Sequence, residues 1–321
     1  LSFAALMAKS GKKVKVLEAH EFAGGYGHTF VEGDKYHFNA QLHYVWNCGE
    51  GQTVNLFLKK LGLADTVTFE QYDATGYDHM RIPGYALDIP YDKEALCARL
   101  SALFPDHADS LQKFIADVWL TAAELKRLPA ELTLPFVLSH AFSNRHIIKY
   151  RKATLQEVFD AFKLPLEAQT LLALQWPDFL LPPEKLSFFA WTALFTGYCR
   201  GAYYPTHHFE HVIDSLVKLI EGNGGEILYQ QKVTDFILDD DRVVGVKTMG
   251  TGDFSVFQEF RGHDVICNFD PKRSAAMIGM DKFSSSVRAK LGYDYSPSNF
   301  VAYCVVKGID LSDFGFGRWN L

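Results

Sequence analysis

Cysteine is scarce in this sequence and nowhere paired: Cys48, Cys97, Cys199, Cys267 and Cys304 lie far apart, with no C-x-x-C spacing. An odd, scattered set excludes a disulfide framework and reads as reduced, buried thiols in a cytosolic setting. Charge is thin as well, with charged residues at 22% and a formal net charge of -6. There is no basic surplus to attract a nucleic acid. No run of about 18 uninterrupted apolar residues occurs, so no segment reads as a membrane span. Internal repeats and low-complexity tracts are also missing. What is plentiful is apolar and aromatic surface, 48% and 14% of 321 residues. That supports a sizeable core, spread over two domains or one two-lobed enzyme.

The chain opens at Leu1 inside a helical pattern, without an initiator methionine, signal peptide or preceding strand, and closes on Phe314-Gly-Phe-Gly-Arg-Trp-Asn-Leu321. It is expected to be a piece of a longer protein, placed on the cytoplasmic side or peripherally at a membrane.

Along the chain the texture changes twice. A helix over residues 2–9, closed by Gly11, leads into the short apolar run Val14-Lys-Val-Leu-Glu18, which is half of a βαβ unit. Residues 52–195 read as mostly helical, with candidates at 53–61, 92–103, 108–126, 154–162 and 187–195 and short strands at 67–71 and 86–90. Thr154-Leu-Gln-Glu157 fits a capping box. From Tyr204 onward α/β patterning returns: a helix over 207–221, strands at 226–229, 232–238 and 243–249, and a further buried strand at 264–267. Asp239-Asp-Asp-Arg242 forms the hairpin turn between the second and third of these strands.

The first chemistry lies at Glu18. In a dinucleotide fold the second strand ends in a carboxylate that accepts hydrogen bonds from ribose hydroxyls. Glycines soon after it, here Gly24-Gly25, let backbone N–H groups approach a pyrophosphate. The plainer reading is a strand-end acid beside an ordinary turn.

The whole string from Leu1 to Gly25 resembles the FAD fingerprint of the amine-oxidase-like flavoprotein superfamily without its first glycines. Tyr26-Gly-His-Thr29 and Tyr36-His-Phe-Asn-Ala-Gln-Leu-His-Tyr44 are similar to the branch that holds phytoene desaturases, carotenoid isomerases and retinol saturases. Gly201-Ala-Tyr-Tyr-Pro205, Val233-Thr-Asp-Phe-Ile237 and Asn268-Phe-Asp-Pro271 follow in the family's order.

The resemblance implies an α/β fold: a split FAD-binding Rossmann-like domain at residues 1–50 and 201–280, with an inserted, mostly helical substrate domain at 51–200 and 281–321. It implies FAD held by Glu18, Gly24, Gly25, Val233 (through its backbone), Asn268 and Asp270. The implied substrate is an apolar isoprenoid, carotenoid or retinoid in type, oxidised, reduced or isomerised at a carbon–carbon double bond. The electron donor or acceptor is not specified, and contact with a membrane is allowed through the segment Leu132-Thr-Leu-Pro-Phe-Val-Leu138, for which a buried hairpin or helix is the plainer account. His43 and Tyr44 are the acid–base candidates, against a core role for the histidine. Trp176-Pro-Asp-Phe-Leu-Leu-Pro-Pro183 and Phe188-Phe-Ala-Trp-Thr-Ala-Leu-Phe195 fit either a tunnel wall or plain core.

One departure is the Thr206-His207-His208 stretch, where the family carries glycines. It opens a rival reading, since His207-His-Phe-Glu-His211 matches the H-x-x-E-H pattern of a zinc peptidase. Glu221, Glu226 or Glu259 would have to supply a third ligand. Three surface histidines at a helix start are the plain alternative, and a FAD-free binding remnant is a third class.

Overall fold

The computed structural model describes residues 1–314 apart from 130–132, 141 and 299. The described chain divides into two compact units, one of residues 1–42, 58–68 and 207–295 and the other of 43–57, 69–206 and 296–321, where description ends at 314.

In the first unit the helix Ser2–Lys9 buries Ala4, Ala5 and Ala8. These small residues, at three- and four-residue spacing, let it lie close against the helix His208–Gly222. Gly11 holds φ 81 and returns its N–H to the Ala8 carbonyl, ending the first helix in the left-handed turn that glycine adopts freely. Strand Lys15–Leu17 follows and pairs in parallel with Glu226–Leu228, Val16 opposite Ile227. Each of these strands is fed by one of the two packed helices. A hairpin of Thr29–Glu32 and Tyr36–Asn39 turns through Gly33 and Asp34, both left-handed. Gln231–Asp239, Arg242–Gly250 and Phe257–Arg261 form an antiparallel three-stranded sheet. The chain reaches it directly from Glu226–Leu228, and the Gln231 N–H donates to the Glu18 carbonyl at 2.8 Å.

The strand expected at residues 264–267 is absent: Asp264-Val-Ile-Cys267 is irregular and Ile266 is 60% exposed. A short apolar run becomes a strand only if another strand offers it a ladder, and none does so among the described residues. Burial of all the thiols is overturned too. All five cysteines are free, but only Cys48 and Cys199 are buried, while Cys267 and Cys304 are exposed.

The second unit is helical around one aromatic core. Asp92 caps Lys93–Leu103 through the Ala95 N–H at 2.7 Å. Ala108–Lys126 buries Leu111, Phe114, Ile115 and Val118, the i, i+3, i+4, i+7 stripe of a core-facing helix. Thr154 and Glu157 complete the capping box of Leu155–Ala161. Phe188–Tyr198 places Phe188, Trp191 and Phe195 wholly in the core, with Trp191 stacked on Phe195 at 4.7 Å, so this stripe is core and not a tunnel wall. Buried Glu124 accepts from the N–H groups of His146 and Ile147, both at 3.0 Å, and meets His146 Nδ1 at 2.6 Å. It thereby caps the short helix Arg145–Tyr150 from a neighbouring helix. Leu132 lies outside the described residues; the rest of its apolar segment forms the helix Leu134–Ser139, capped by Thr133. A hairpin, Asp78–Ile82 with Tyr85–Ile89, and a small sheet of Val45–Trp46, Ala202–Pro205 and Phe69–Gln71 complete the unit.

Candidate dinucleotide-binding site

The strand Lys15–Leu17 delivers Glu18 at its carboxyl end, where the Glu18 N–H still donates to the Leu228 carbonyl at 2.9 Å. One carboxylate oxygen, Oε1, accepts the His20 N–H at 2.9 Å, which fixes the side chain over the turn. The other has no hydrogen-bond partner among the described residues. The chain then bends through Gly24 (φ 116) and Gly25 (φ 54) into a single 3-10 turn, Gly25–Gly27. The two glycines differ in what they allow. A Cβ on Gly24 would stand 3.2 Å from Ile213 Cγ1 and 3.3 Å from the His28 nitrogen, so glycine there serves close packing on the helix His208–Gly222. A Cβ on Gly25 would meet nothing within 4 Å, so its backbone faces open space. A strand-end carboxylate with a free oxygen beside an uncovered glycine turn is the donor and acceptor set that a ribose and a diphosphate require.

Val233 lies in the antiparallel sheet and not in the parallel pair, but only two residues beyond the Gln231 N–H that bonds to Glu18. With Lys232, Thr234, Arg273, Ala276 and Met277 it lines a cleft of about 340 Å³. Lys232 and Arg273 give that cleft two cations. A second cleft, about 290 Å³, borders the glycine turn between Phe22, His28 and Ile213 and carries Glu21, Glu210 and Asp214. Its three carboxylates disfavour a diphosphate in that cleft, so one held by the glycine turn would lie on the open side of Gly25 instead. Asn268 is exposed, while Asp270 caps the helix Pro271–Ile278, accepting the Lys272 N–H at 2.9 Å. It also accepts the hydroxyls of Tyr293, at 2.6 Å, and Tyr295. Those two hydroxyls hold its carboxyl below the usual carboxylate range.

The histidines at the start of His208–Gly222 do not gather a metal set. His207 and His211 face each other with ring centroids 5.3 Å apart, but His211 Nε2 bonds to the Thr66 carbonyl at 2.9 Å. Glu210 lies 3.8 Å from His37, Glu226 pairs with Lys15 at 2.9 Å, and Glu259 faces Lys247. Among the described residues no three His, Cys, Asp or Glu side chains converge as ligands. His208 itself takes φ 64, so the backbone keeps a left-handed turn although a histidine occupies it.

In the second unit, His43 and Tyr44 part ways. His43 is exposed and offers only its carbonyl, to the Tyr72 hydroxyl at 3.3 Å, so the core role expected for it fails. Tyr44 takes the inward position and packs at a tilt against Tyr198, ring centroids 4.2 Å apart. Its hydroxyl stands 3.5 Å from both Asp78 Oδ2 and Gln175 Nε2, and Gln175 Nε2 donates to Asp78 at 2.9 Å. Burial raises the Asp78 carboxyl above its usual range, and burial with the nearby Asp78 pushes Asp178 up to about 6. Asp78, Gln175 and Asp178 carry no signal in the sequence that singles them out.

The family of NAD(P)-binding Rossmann-like domains matches residues 1–61. The all-trans-retinol 13,14-reductase of Rattus norvegicus is 29% identical over 256 residues, covering 74% of this chain and 41% of that protein. The chloroplastic prolycopene isomerase 2 of an Oncidium hybrid cultivar is 23% identical over 273 residues, 77% of this chain and 43% of its own length. The crystal structure of an oxidoreductase from Methanosarcina mazei overlays with a TM-score of 0.55 at 17% identity, over 90% of this chain and 61% of that one, which establishes the shared fold. The chain spans about two-fifths of the length of the curated relatives it matches.

These matches agree with the resemblance to retinol saturases and carotenoid isomerases, and with an α/β fold carrying a Rossmann-like domain for a dinucleotide cofactor. They do not favour the zinc-peptidase reading. No described helix is long and apolar enough to cross a membrane.

Proposed function

We propose that the chain belongs to an FAD-dependent oxidoreductase or isomerase that acts on a carbon–carbon double bond of a retinoid or carotenoid polyene. The observation that carries this reading is the Glu18–Gly25 element: a parallel strand ending in a half-free carboxylate, followed by a glycine turn whose backbone is uncovered. In this reading Glu18 accepts the ribose hydroxyls, the Gly24-Gly25 turn approaches the diphosphate, and the Val233 backbone faces the adenine. Asn268 and Asp270 would lie on the flavin side. Since Asp270 already caps a helix and accepts two tyrosine hydroxyls, its part is to shape the backbone there.

Bound flavin would supply the exchange of hydride equivalents, and the protein's share is orientation and exclusion of water. The unit holding residues 1–42, 58–68 and 207–295 would hold the cofactor, and the helical unit would accept the apolar substrate. The test is the absorption spectrum of the purified full-length protein, followed by incubation with all-trans-retinol and with a cis-carotenoid under reducing conditions. Flavin bands with a product altered at one double bond support the proposal. Stoichiometric zinc without flavin, or neither, overturns it.

A further inference from the structure

The second unit buries a polar corner that its fold does not need. Tyr44 comes from the segment before Val45–Trp46, Asp78 from the first strand of a hairpin, and Gln175 from the turn after Leu166–Ala173. Asp78 is 9% exposed and Gln175 5%. No cation is hydrogen-bonded to the Asp78 carboxyl among the described residues; neighbouring His79 turns instead to Asp88 at 2.7 Å. The carboxyl has Gln175, a long contact from Tyr44 and the His79 backbone as its support, and a carboxyl buried without a paired cation is costly, a place that cores ordinarily fill with leucine.

Two details show that the corner is unfinished. Gln175 Oε1 is buried with no hydrogen-bond partner among the described residues. The Tyr44 hydroxyl stands 3.5 Å from both of its neighbours, at the limit of a hydrogen bond. The group that would complete it must donate a proton to Gln175 Oε1 and accept one from Tyr44. Its surroundings are largely aromatic, with Tyr72 and Tyr198 packed against Tyr44 and Trp46 set edge-on to Tyr198. Tyr44 is half-buried and Trp176, next to Gln175, is 43% exposed, so the chain beside the corner meets the surface, while Gln175 Oε1 itself is enclosed and a ligand reaches it only by displacing the packing around it.

We propose that Gln175, Tyr44 and Asp78 recognise a hydroxyl group carried by an otherwise apolar substrate, an inference that rests on the polyene reading above. An alcohol is both donor and acceptor, so it satisfies Gln175 Oε1 and takes the Tyr44 proton at once. An ether or a plain hydrocarbon leaves Gln175 Oε1 unmet. A carboxylate is repelled by Asp78 and Asp178. Asp78 fixes the Gln175 amide by accepting its N–H, so it is a positioning residue, and Gln175 sets the selectivity.

The test uses the purified full-length protein and three probes that differ in one group: all-trans-retinol, its methyl ether and retinoic acid. Binding is read by quenching of protein fluorescence, which needs no turnover, and flavin content is read separately from the visible spectrum. Retinol is expected to bind about five- to tenfold more tightly than the ether, the worth of one buried neutral hydrogen bond. Gln175→Leu should erase that ratio while leaving ether affinity within about twofold. Tyr44→Phe, which keeps the ring packing, should reduce the ratio and decides the matter if the leucine variant does not fold. Equal binding of retinol and ether by the parent protein, or an unchanged ratio in both variants, overturns the assignment and leaves a buried water as the occupant. Flavin missing from a protein that still prefers the alcohol would instead count against the oxidoreductase reading.

Discussion

Gly25→Ala separates what the glycine turn does for the fold from what it does for a cofactor. Gly25 holds φ 54, a left-handed value that alanine adopts at a cost of about 1–2 kcal/mol. This fold already tolerates that conformation without glycine at Lys163 (φ 53) and Gln230 (φ 55). Among the described residues no atom beyond Gly25's own chain neighbours lies within 4 Å of the added methyl, so no packing penalty joins the dihedral term. The expected loss of stability is therefore about 1–2 kcal/mol, read as a shift of the denaturant midpoint of the flavin-free full-length protein. If a diphosphate lies against this backbone, the methyl occupies its place, and FAD affinity, titrated by flavin fluorescence, should fall by at least a hundredfold. Gly24→Ala is the contrasting variant. Its φ of 116 and contacts of 3.2–3.4 Å to Ile213 and His28 should lower stability and affinity together. If Gly25→Ala binds FAD as tightly as the parent protein, the turn does not hold the cofactor and the site assignment fails.

Further outcomes follow from the same geometry. Glu18→Ala in the full-length protein should weaken FAD binding by roughly 1–3 kcal/mol, through loss of charge-assisted hydrogen bonds to ribose. Unchanged affinity by calorimetry would remove Glu18 from the site. Glu124→Ala leaves two backbone N–H groups and His146 Nδ1 without their buried acceptor and should cost about 3–5 kcal/mol in chemical denaturation. A cost below about 1 kcal/mol would show that water replaces the carboxylate. Desolvation and the nearby Asp78 push Asp178 up to about 6 although the residue keeps part of its surface in water, so the folded chain binds its proton somewhat more tightly than the unfolded chain does. Its favourable contribution is complete below about pH 4 and is lost as the pH rises through 6. Asp178→Asn should accordingly be near neutral at pH 4 and stabilising at pH 8, and an effect equal at both pH values would contradict the shift. His211→Ala should leave the metal content of the protein unchanged, with stoichiometric zinc in the parent and its loss in the variant as the contrary result.

Local chemistry made much of this fold readable in advance. Ala108–Lys126 announces itself by its apolar stripe, and Leu155–Ala161 by a capping box whose two halves lie three residues apart. The hairpin of Thr29–Glu32 and Tyr36–Asn39 went unread although Gly33-Asp34 is a serviceable turn signal. Phe257–Arg261 was hidden because it is mostly exposed and shows no inward alternation. Residues 264–267 mislead for the opposite reason: they look like a buried strand, but strand formation depends on a neighbour that no local pattern encodes. Glu18, Gly24 and Gly25 could be singled out because the strand end and the glycine turn of the proposed site lie within eight residues of chain. The corner of Tyr44, Asp78 and Gln175 was not, because it exists only once three distant segments have met. His43 and Tyr44 could not be told apart, since which of two adjacent residues turns inward is decided by packing.

The pairing of Lys15–Leu17 with Glu226–Leu228 sets a schedule for the growing chain. At about 5–20 residues added per second, the second strand emerges roughly 10–40 s after the first. For that interval the early strand lacks Glu226–Leu228 and its helix lacks His208–Gly222, while the helical unit, whose described elements lie almost wholly between them, can already condense. Until Glu226–Leu228 emerges, the nascent chain carries an unpaired strand edge on Lys15–Leu17 and a bare alanine face on Ser2–Lys9, the kind of surface that holding chaperones cover. Ribosome-stalled chains cut off before Glu226 should show residues 1–18 sensitive to protease beside a resistant helical unit. Chains stalled far enough past Gly250 for the later strands to clear the ribosome should show both protected. Early protection of residues 1–18 would mean that something other than Glu226–Leu228 shelters the strand.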